Sequence, residues 1–331
     1  MEKSQKLSSG GGVSMGVHMR KAGLVVLILI SVLASSSCTR RIQLAENYMR
    51  ARFWVGGLEH FNNAQGWLGY ISDECGDVKD INRDCECVAL VHGLGANSMA
   101  WYKILLWPTS SWKTMGVHKP MRLLAVDLPG SGDSRPPLEN KDYQVRRQAK
   151  YLGQTLAGQC SKWTVVGNSL GAWIATWLAL DQPHLVKGLM LTNAAGLREC
   201  ALNARALFKP TVEAMKDFQK RAFYQPMSLQ DSDWQELLQR FEKEHVQQII
   251  DAQVEEDFID AHLANLQTPT QLLWGKYDGI IPIEAGYQMR ELIPHVRFHE
   301  LDQCAHVPQI ENPKETVQMI VNTIRWGDAK T

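Results

Sequence analysis

Six short, mainly apolar runs recur along the chain, and each one leads into turn residues such as Gly, Asp or Asn. Runs of this kind, bounded by turn residues, are typical of strands that are buried on both faces of a sheet. The pattern therefore predicts six such strands, at residues 88–91, 122–126, 163–166, 188–191, 271–274 and 296–301.

Stretches with helical character separate several of these runs. Alternating strands and helices imply a mostly parallel central sheet with helices on both faces, so the sequence predicts an α/β fold. Residues 40–70 are aromatic and less regular, and we interpret them as a lead-in helix or loop followed by the first, antiparallel strands. The predicted helices lie at about 142–158, 170–181, 283–292 and 313–325.

The alternation of strands and helices breaks between residues 197 and 266. Apolar residues there recur at helical spacing, as at Trp234 and Leu238, and no strand pattern interrupts them. We predict an inserted helical cap over the carboxyl ends of the strands, where open α/β sheets bind their ligands. The cap divides the predicted core into a first half at 59–196 and a second half at 267–331.

The N-terminal segment has the pattern of a targeting sequence. Arg20 and Lys21 precede the apolar run 22–34 and then three serines and Cys38, which is the layout of a secretory signal. The run is shorter than the roughly 20 residues that span a bilayer. The segment resembles a bacterial lipoprotein signal, although Ser35 stands where Leu, Val or Ile is usual. We predict removal of residues 1–37, lipidation of Cys38 and a tether at 38–58; the alternative is an uncleaved signal anchor in the inner membrane.

Composition and charge narrow the function classes. The chain has 331 residues, 35 basic against 35 acidic residues and 45% hydrophobic residues, as in ordinary globular proteins. Zero net charge gives no reason to expect a nucleic-acid partner. An exported chain would keep six cysteines in an oxidising compartment, where Cys75 could pair with Cys85 or Cys87. Cys85 and Cys87 lack a second ligand pair at zinc-finger spacing, so no metal is expected.

The strongest chemical motif is Gly167-Asn-Ser169-Leu-Gly171, which matches G-x-S-x-G between a predicted strand and an apolar helix. The two elbow glycines, Gly167 and Gly171, allow a tight turn that exposes the Ser169 hydroxyl at the sheet edge. The helix N-terminus beneath it favours developing negative charge. A second match around Ser14 has no strand before it, so we discard it.

Two further residues complete a possible triad. Asp278 and His306 each follow a predicted strand, and the order Ser169, Asp278, His306 is that of α/β-hydrolase triads. A serine hydroxyl needs a neighbouring base, and the base needs an acid that fixes its tautomer. We therefore predict Ser169 as nucleophile, His306 as general base and Asp278 as its orienting acid.

Two loops beside these residues shape the predicted site. In His92-Gly-Leu-Gly95, glycine lets the backbone approach a substrate, so the Leu94 and Leu170 amides are the predicted oxyanion hole. We interpret His92 as a structural histidine that bonds the nearby loop backbone. The loop 127–134, Asp-Leu-Pro-Gly-Ser-Gly-Asp-Ser, is interpreted as a structural turn.

In this order, the His92 loop, the 127–134 loop, the Ser169 elbow and the Asp278 and His306 loops resemble the α/β-hydrolase superfamily over about residues 60–325. Together with Asn-Ala-Ala-Gly at 193–196, they are most similar to bacterial membrane-anchored lipases, esterases and phospholipases A. The resemblance implies hydrolysis of a small-molecule or lipid ester through an acyl-enzyme on Ser169, without a cofactor. The acyl pocket would lie in the cap, with Leu207, Phe208, Phe218, Phe223 and Tyr224 as candidates.

Other readings remain open at this point. Hydrolases of carbon–carbon bonds in ring-fission products resemble the chain as well, but they commonly carry Trp after the histidine, where this chain has Val307. Branches with an aspartate nucleophile are disfavoured because Ser169 occupies the elbow. An acyltransferase would use the same acyl-enzyme with another acceptor, and a non-catalytic binding protein on this fold is the remaining alternative.

Overall fold

The computed structural model describes residues 41–63, 66, 68–76, 84–137, 139–199, 207–242 and 245–330. The chain divides into two compact units, and the boundary in the sequence lies between Leu58 and Glu59. The described part of the first unit contains helix α1, Arg41–Val55. None of the described helices has both the length and the apolar character that crossing a membrane requires. The predicted signal segment and Cys38 lie outside the described residues.

The second unit is built on one eight-stranded sheet with the order β1-β2-β4-β3-β5-β6-β7-β8. Strands β1 and β2 are antiparallel to their neighbours, and β3 to β8 are parallel, which confirms the predicted mostly parallel sheet. The strands are β1 Glu59–Asn62, β2 Leu68–Asp73, β3 Glu86–Val91, β4 Met121–Val126, β5 Trp163–Asn168, β6 Val186–Thr192, β7 Thr270–Gly275 and β8 Val296–Leu301.

Helices connect the parallel strands and cover the sheet. Five short 3-10 turns supplement them among the described residues. The helices of the second unit are α2 Tyr102–Leu105, α3 Thr109–Thr114, α4 Val145–Ala157, α5 Leu170–Asp181, α6 Val212–Ala222, α7 Asp231–Phe241, α8 Val246–Asp251, α9 Ile283–Leu292, α10 Pro308–Glu311 and α11 Pro313–Asp328.

Burial separates the interior strands from the edge of the sheet. Every residue of β3, β4, β5 and β7 is buried, as their apolar sequences predict. Strand β8 differs from the prediction because none of its residues is fully buried. It is an edge strand with one neighbour, and its residues Arg297 and Glu300 are exposed to solvent.

Helices α6, α7 and α8 lie between β6 and β7, where the sequence predicts the cap. Asp257, near the end of this insertion, fixes it to helices that flank the sheet. Its carboxylate accepts the N–H groups of Val145 and Arg146 at the start of α4, both at 3.1 Å. Its carbonyl accepts the indole N–H groups of Trp173 and Trp177 in α5. One buried residue therefore caps α4 and satisfies two buried indoles.

Two disulfides lie near the amino ends of the parallel strands, and Ser169 lies at the opposite, carboxyl ends. Cys75 pairs with Cys85 and Cys87 pairs with Cys160, which decides between the two partners that the sequence leaves open for Cys75. Cys304 is a free, buried cysteine, and burial raises the pKa of its thiol. A protonated, buried thiol of this kind is chemically inert.

Candidate active site

Ser169 lies at the sharp turn between β5 and α5, where its backbone is strained. Its φ is 54° and its ψ is −117°, a combination that residues with a Cβ rarely adopt. Its carbonyl accepts N–H groups from Ala172 and Trp173 in α5 and from Ala195 in the loop after β6. Hydrogen bonds from two directions thus hold a strained serine in place, which is common at functional sites.

Close backbone approach explains the small residues around Ser169. A Cβ on Gly167 would overlap the backbone of Gly171, and a Cβ on Gly171 would overlap the carbonyl oxygen of Val91. A Cβ on Gly93 would lie 3.2 Å from the Ser169 Cβ. The loop after β3 therefore packs directly against the serine, at the sheet edge where the sequence predicts the oxyanion loop.

Asp278 and His306 are joined by a hydrogen bond of 2.8 Å between Asp278 Oδ2 and His306 Nδ1. The other carboxylate oxygen of Asp278, Oδ1, accepts the N–H groups of Ile280 at 2.8 Å and Ile281 at 3.0 Å. Both residues are buried, with 7% of Asp278 and 4% of His306 exposed. Because the carboxylate accepts from Nδ1, the imidazole keeps Nε2 free to act as a proton acceptor.

Asn193 is a site residue whose role sequence reasoning missed. It is fully buried in the left-handed region, with φ 46°, directly after β6. Its side-chain amide donates to Asp278 Oδ2 at 2.6 Å and to the Ala305 carbonyl at 3.2 Å. The sequence does contain one signal for this role, because Asn193 directly follows a buried strand. Strands β6 and β7 are neighbours, so the loop after β6, with Asn193, meets the loop after β7, with Asp278.

Asn168 and Gln309 connect the serine elbow to the histidine loop. The Asn168 side chain donates to the His306 carbonyl at 3.0 Å and accepts from Gln309 Nε2 at 3.2 Å. Among the described residues, no hydrogen bond joins the Ser169 hydroxyl to the His306 ring. The structure thus brings Asp278 and His306 into direct contact and links their loop to Ser169 through its neighbour.

The predicted oxyanion-hole amides, Leu94 and Leu170, belong to the two segments of the chain that meet at Ser169. Leu170 is the first residue of α5, and Leu94 follows the glycine that packs against the serine. Within the described part of the chain, neither N–H group donates to a protein acceptor. Unpaired N–H groups at such positions suit a developing negative charge.

His92 and Asp127 are buried and form hydrogen bonds with the backbone of these loops. His92 is 1% exposed; its Nδ1 donates to the Gly93 carbonyl at 2.8 Å, and its Nε2 accepts the Leu128 N–H at 3.0 Å. Burial lowers the pKa of His92, so the ring stays neutral in this structural position. The Asp127 carboxylate accepts the N–H groups of Ser98 and Asp133.

An apolar cavity of about 300 Å³ lies between the cap and the loop after β3. Leu94 and Gly95 line it from the core. The predicted acyl-pocket residues that line it are Leu207, Phe208, Phe218 and Phe223. Tyr224 is not among its lining residues; its ring packs on Tyr277, with 4.8 Å between the ring centres. In the described chain, no group of three or more His, Cys, Asp or Glu side chains could hold a metal ion.

Known proteins similar to this chain include enzymes of two kinds. Lipase 3 of Moraxella sp. (strain TA144) is 28% identical over 249 residues, covering 70% of this chain and 75% of that protein. A 2-hydroxy-6-oxononadienedioate/2-hydroxy-6-oxononatrienedioate hydrolase of Cupriavidus pinatubonensis is 25% identical over 265 residues, covering 73% of this chain and 88% of that protein.

The fold is shared with a solved membrane phospholipase A that is described as a bacterial virulence factor. The two structures have a TM-score of 0.69 at 22% identity, covering 93% of this chain and 99% of the other. At this identity the likeness concerns the fold alone. The sequence profile of the alpha/beta hydrolase family matches residues 88–319, most of the chain, and the strand order agrees with it. The chain therefore belongs to the alpha/beta hydrolase family.

Proposed function

We propose that this protein is a serine hydrolase that cleaves carboxylic esters through an acyl-enzyme on Ser169. The observation that carries the proposal is the 2.8 Å hydrogen bond between Asp278 and His306. It leaves His306 Nε2 as a base at the same sheet edge as the strained Ser169. A serine hydroxyl becomes an effective nucleophile when such a base and its orienting acid are present.

In the proposed mechanism, His306 accepts the Ser169 proton as the hydroxyl oxygen attacks the ester carbonyl. Asp278 remains ionised and stabilises the imidazolium that forms. The Leu94 and Leu170 amides donate to the oxyanion, each contributing about 3 kcal/mol to the transition state. His306 then protonates the leaving alcohol, and a water molecule activated by the same histidine releases the acid.

The absence of a Ser169–His306 hydrogen bond among the described residues is compatible with this mechanism. Catalytic hydrogen bonds are often long or poorly aligned in free enzymes and tighten when substrate binds. The link from Asn168 to the His306 carbonyl keeps the two loops together until then.

The cavity under the cap supports an apolar acyl group as the substrate. It is about 300 Å³ in volume and mostly lined by aliphatic and aromatic side chains. We therefore infer a preference for esters with an apolar acyl group, including lipid esters.

We also propose that the chain is exported and tethered to the cell envelope through lipidated Cys38. Two disulfides support export because disulfides form in oxidising compartments. The basic residues and the apolar run before Cys38 have the layout of a cleaved signal. Metabolic labelling with a fatty-acid analogue should modify the native protein and leave the Cys38→Ser variant unlabelled; equal labelling would contradict the tether.

The decisive test is ester hydrolysis by the purified protein and its Ser169→Ala variant on p-nitrophenyl esters of graded chain length. We expect higher turnover for longer, more apolar acyl chains than for the acetate ester, and a loss of about 10⁶-fold in kcat in Ser169→Ala. Ser161→Ala, an exposed serine before β5, is the matched control and should keep full activity. Unchanged turnover in Ser169→Ala would refute the proposal.

The second candidate is hydrolysis of a carbon–carbon bond in a ring-fission product, which the Cupriavidus relative favours. Its substrates carry carboxylates, which basic side chains would recognise. Of the described residues that line the cavity, Lys209 is the one cation, so the lining favours an ester. Turnover of a ring-fission substrate without ester turnover would reverse this order.

A further inference from the structure

The loops that carry Asp278 and His306 are hydrogen-bonded to the end of a cap helix. The Ala222 carbonyl, at the last residue of α6, accepts the His306 N–H at 2.9 Å. The neighbouring Arg221 carbonyl accepts the Gly279 N–H at 3.0 Å, directly after Asp278. The cap therefore contributes to the position of both side chains that activate Ser169.

The Glu311 carboxylate makes the same connection from the other side of His306. Its Oε2 accepts the Ala305 N–H at 2.7 Å, one residue before the histidine. Its Oε1 accepts the Tyr224 N–H at 2.7 Å, two residues after α6 ends. Both bonds are short, as expected when the acceptor is charged. One carboxylate thus joins the histidine loop to the cap.

Glu311 is itself held on a fixed support. It ends the one-turn helix α10, where its N–H donates to the Val307 carbonyl at 3.0 Å. The preceding residue, Ile310, accepts a hydrogen bond of 2.6 Å from Lys103 Nζ through its carbonyl. A side chain on such a support can transmit a defined position to the loop that it binds.

We propose that Glu311 is a positioning residue, which holds the His306 loop and the end of α6 together so that the imidazole reaches Ser169. The inference rests on the proposed function, in which Glu311 takes no part in bond making. A carboxylate suits the role because both of its oxygens accept, whereas an amide offers one acceptor and would turn its NH₂ toward one of the two donors.

The test is ester hydrolysis by Glu311→Gln, beside Glu315→Gln as the matched control. Glu315 is exposed in the first turn of α11, close to Glu311 in sequence. We expect kcat to fall about 10²-fold in Glu311→Gln, because a small misplacement of a catalytic group has about this cost. KM should change less than threefold, since the cavity remains, and Glu315→Gln should match the native protein.

A double-mutant cycle with His306→Ala separates positioning from a general structural role. If Glu311 acts through His306, Glu311→Gln should cause almost no further loss in the His306→Ala background. An equal loss in both backgrounds would overturn the inference. If Glu311→Gln lowers the folded fraction, kcat is measured instead for Glu311→Asp, whose shorter side chain cannot reach both N–H donors at once. A kcat within twofold of the native value for the folded Glu311→Asp variant would also overturn the inference.

The two failures remain distinguishable in these measurements. A native protein that hydrolyses no ester refutes the proposed function, and the inference falls with it. A native protein that hydrolyses esters, beside a Glu311→Gln variant with the same kcat, refutes only the role of Glu311.

Discussion

The two ends of the parallel strands differ in how their polar groups are arranged. We call the end at which the strands finish and Ser169 lies the carboxyl edge, and the end at which they begin the amino edge. At the carboxyl edge, Ser169, Asn193 and Gln303 have positive φ values directly after or close to strand ends. The Leu94 and Leu170 amides there donate to no protein acceptor within the described chain. This edge holds strain and unpaired donors, both of which reduce stability.

The amino edge instead carries groups that pair closely. Lys187 Nζ lies 2.8 Å from Glu86 and 2.7 Å from Asp328, which joins β6, β3 and α11. Arg122 in β4 is 2.7 Å from Asp73 in β2, and its guanidinium also donates to the Gln159 and Gly76 carbonyls. Both disulfides lie at this edge as well.

The difference indicates a division of roles within one sheet. Strain and unpaired amides at the carboxyl edge are suited to chemistry, and cross-links at the amino edge offset their cost. Variants at the carboxyl edge should therefore change activity more than stability, and those at the amino edge should do the opposite.

Among the variants that compare the two edges, the largest expected effect comes from two matched carboxylate-to-amide substitutions. Asp278→Asn should lower kcat on esters by about 10⁴-fold, because the amide no longer orients and stabilises the imidazolium. Glu86→Gln removes a carboxylate that is 1% exposed at the amino edge and should leave kcat within twofold. Steady-state kinetics on both variants checks this; comparable losses in kcat would refute the division of roles.

Loss of the Cys87–Cys160 disulfide should give the next largest effect, on stability alone. The bond closes a loop with a sequence separation of 73, so its removal should cost about 4 kcal/mol of unfolding free energy. The Cys75–Cys85 bond, with a separation of 10, should cost about 3 kcal/mol. Denaturant unfolding of the two Cys-to-Ser double variants measures both values. A reversed order, or lost activity in the folded variants, would contradict the expectation.

The smallest effect should be a pH dependence of stability from His92. Burial lowers its pKa from 6.5, so the unfolded chain binds a proton that the folded chain rejects. Stability should therefore fall as pH drops below about 6.5, by at most about 1.4 kcal/mol per pH unit. Burial raises the pKa of Glu86, so this group has the opposite effect on stability. Its contribution to the unfolding free energy is lost as the pH rises above the usual pKa of a glutamate.

Unfolding measurements between pH 5 and pH 7.5 test this contrast between the edges. In the His92→Asn variant, the unfolding free energy should fall less steeply with decreasing pH than in the native protein, whatever the absolute stability of the variant. In the Glu86→Gln variant, the unfolding free energy should fall more steeply with decreasing pH, because this variant lacks the carboxylate that partly compensates the effect of His92. If the unfolding free energy changed with pH in the same way in all three proteins, neither His92 nor Glu86 would have the effect that we assign to it.

Local patterns were sufficient to predict the parallel strands, the helices between them and the family. Apolar runs, turn residues and the G-x-S-x-G spacing depend on neighbours in sequence, so they can be interpreted without a structure. The positions of Ser169, Asp278 and His306 after three predicted strands follow from the same patterns, and their assignment as a triad stays a prediction.

Contacts between distant loops could not be predicted in this way. Asn193 meets Asp278 because β6 and β7 are neighbours in the sheet, and Glu311 joins Ala305 to Tyr224 because the cap returns to the histidine loop. Strand β8 is only partly buried because it has one neighbour, and Cys75 pairs with Cys85 rather than Cys87. These pairings depend on strand order and on where long insertions return, which local periodicity does not encode.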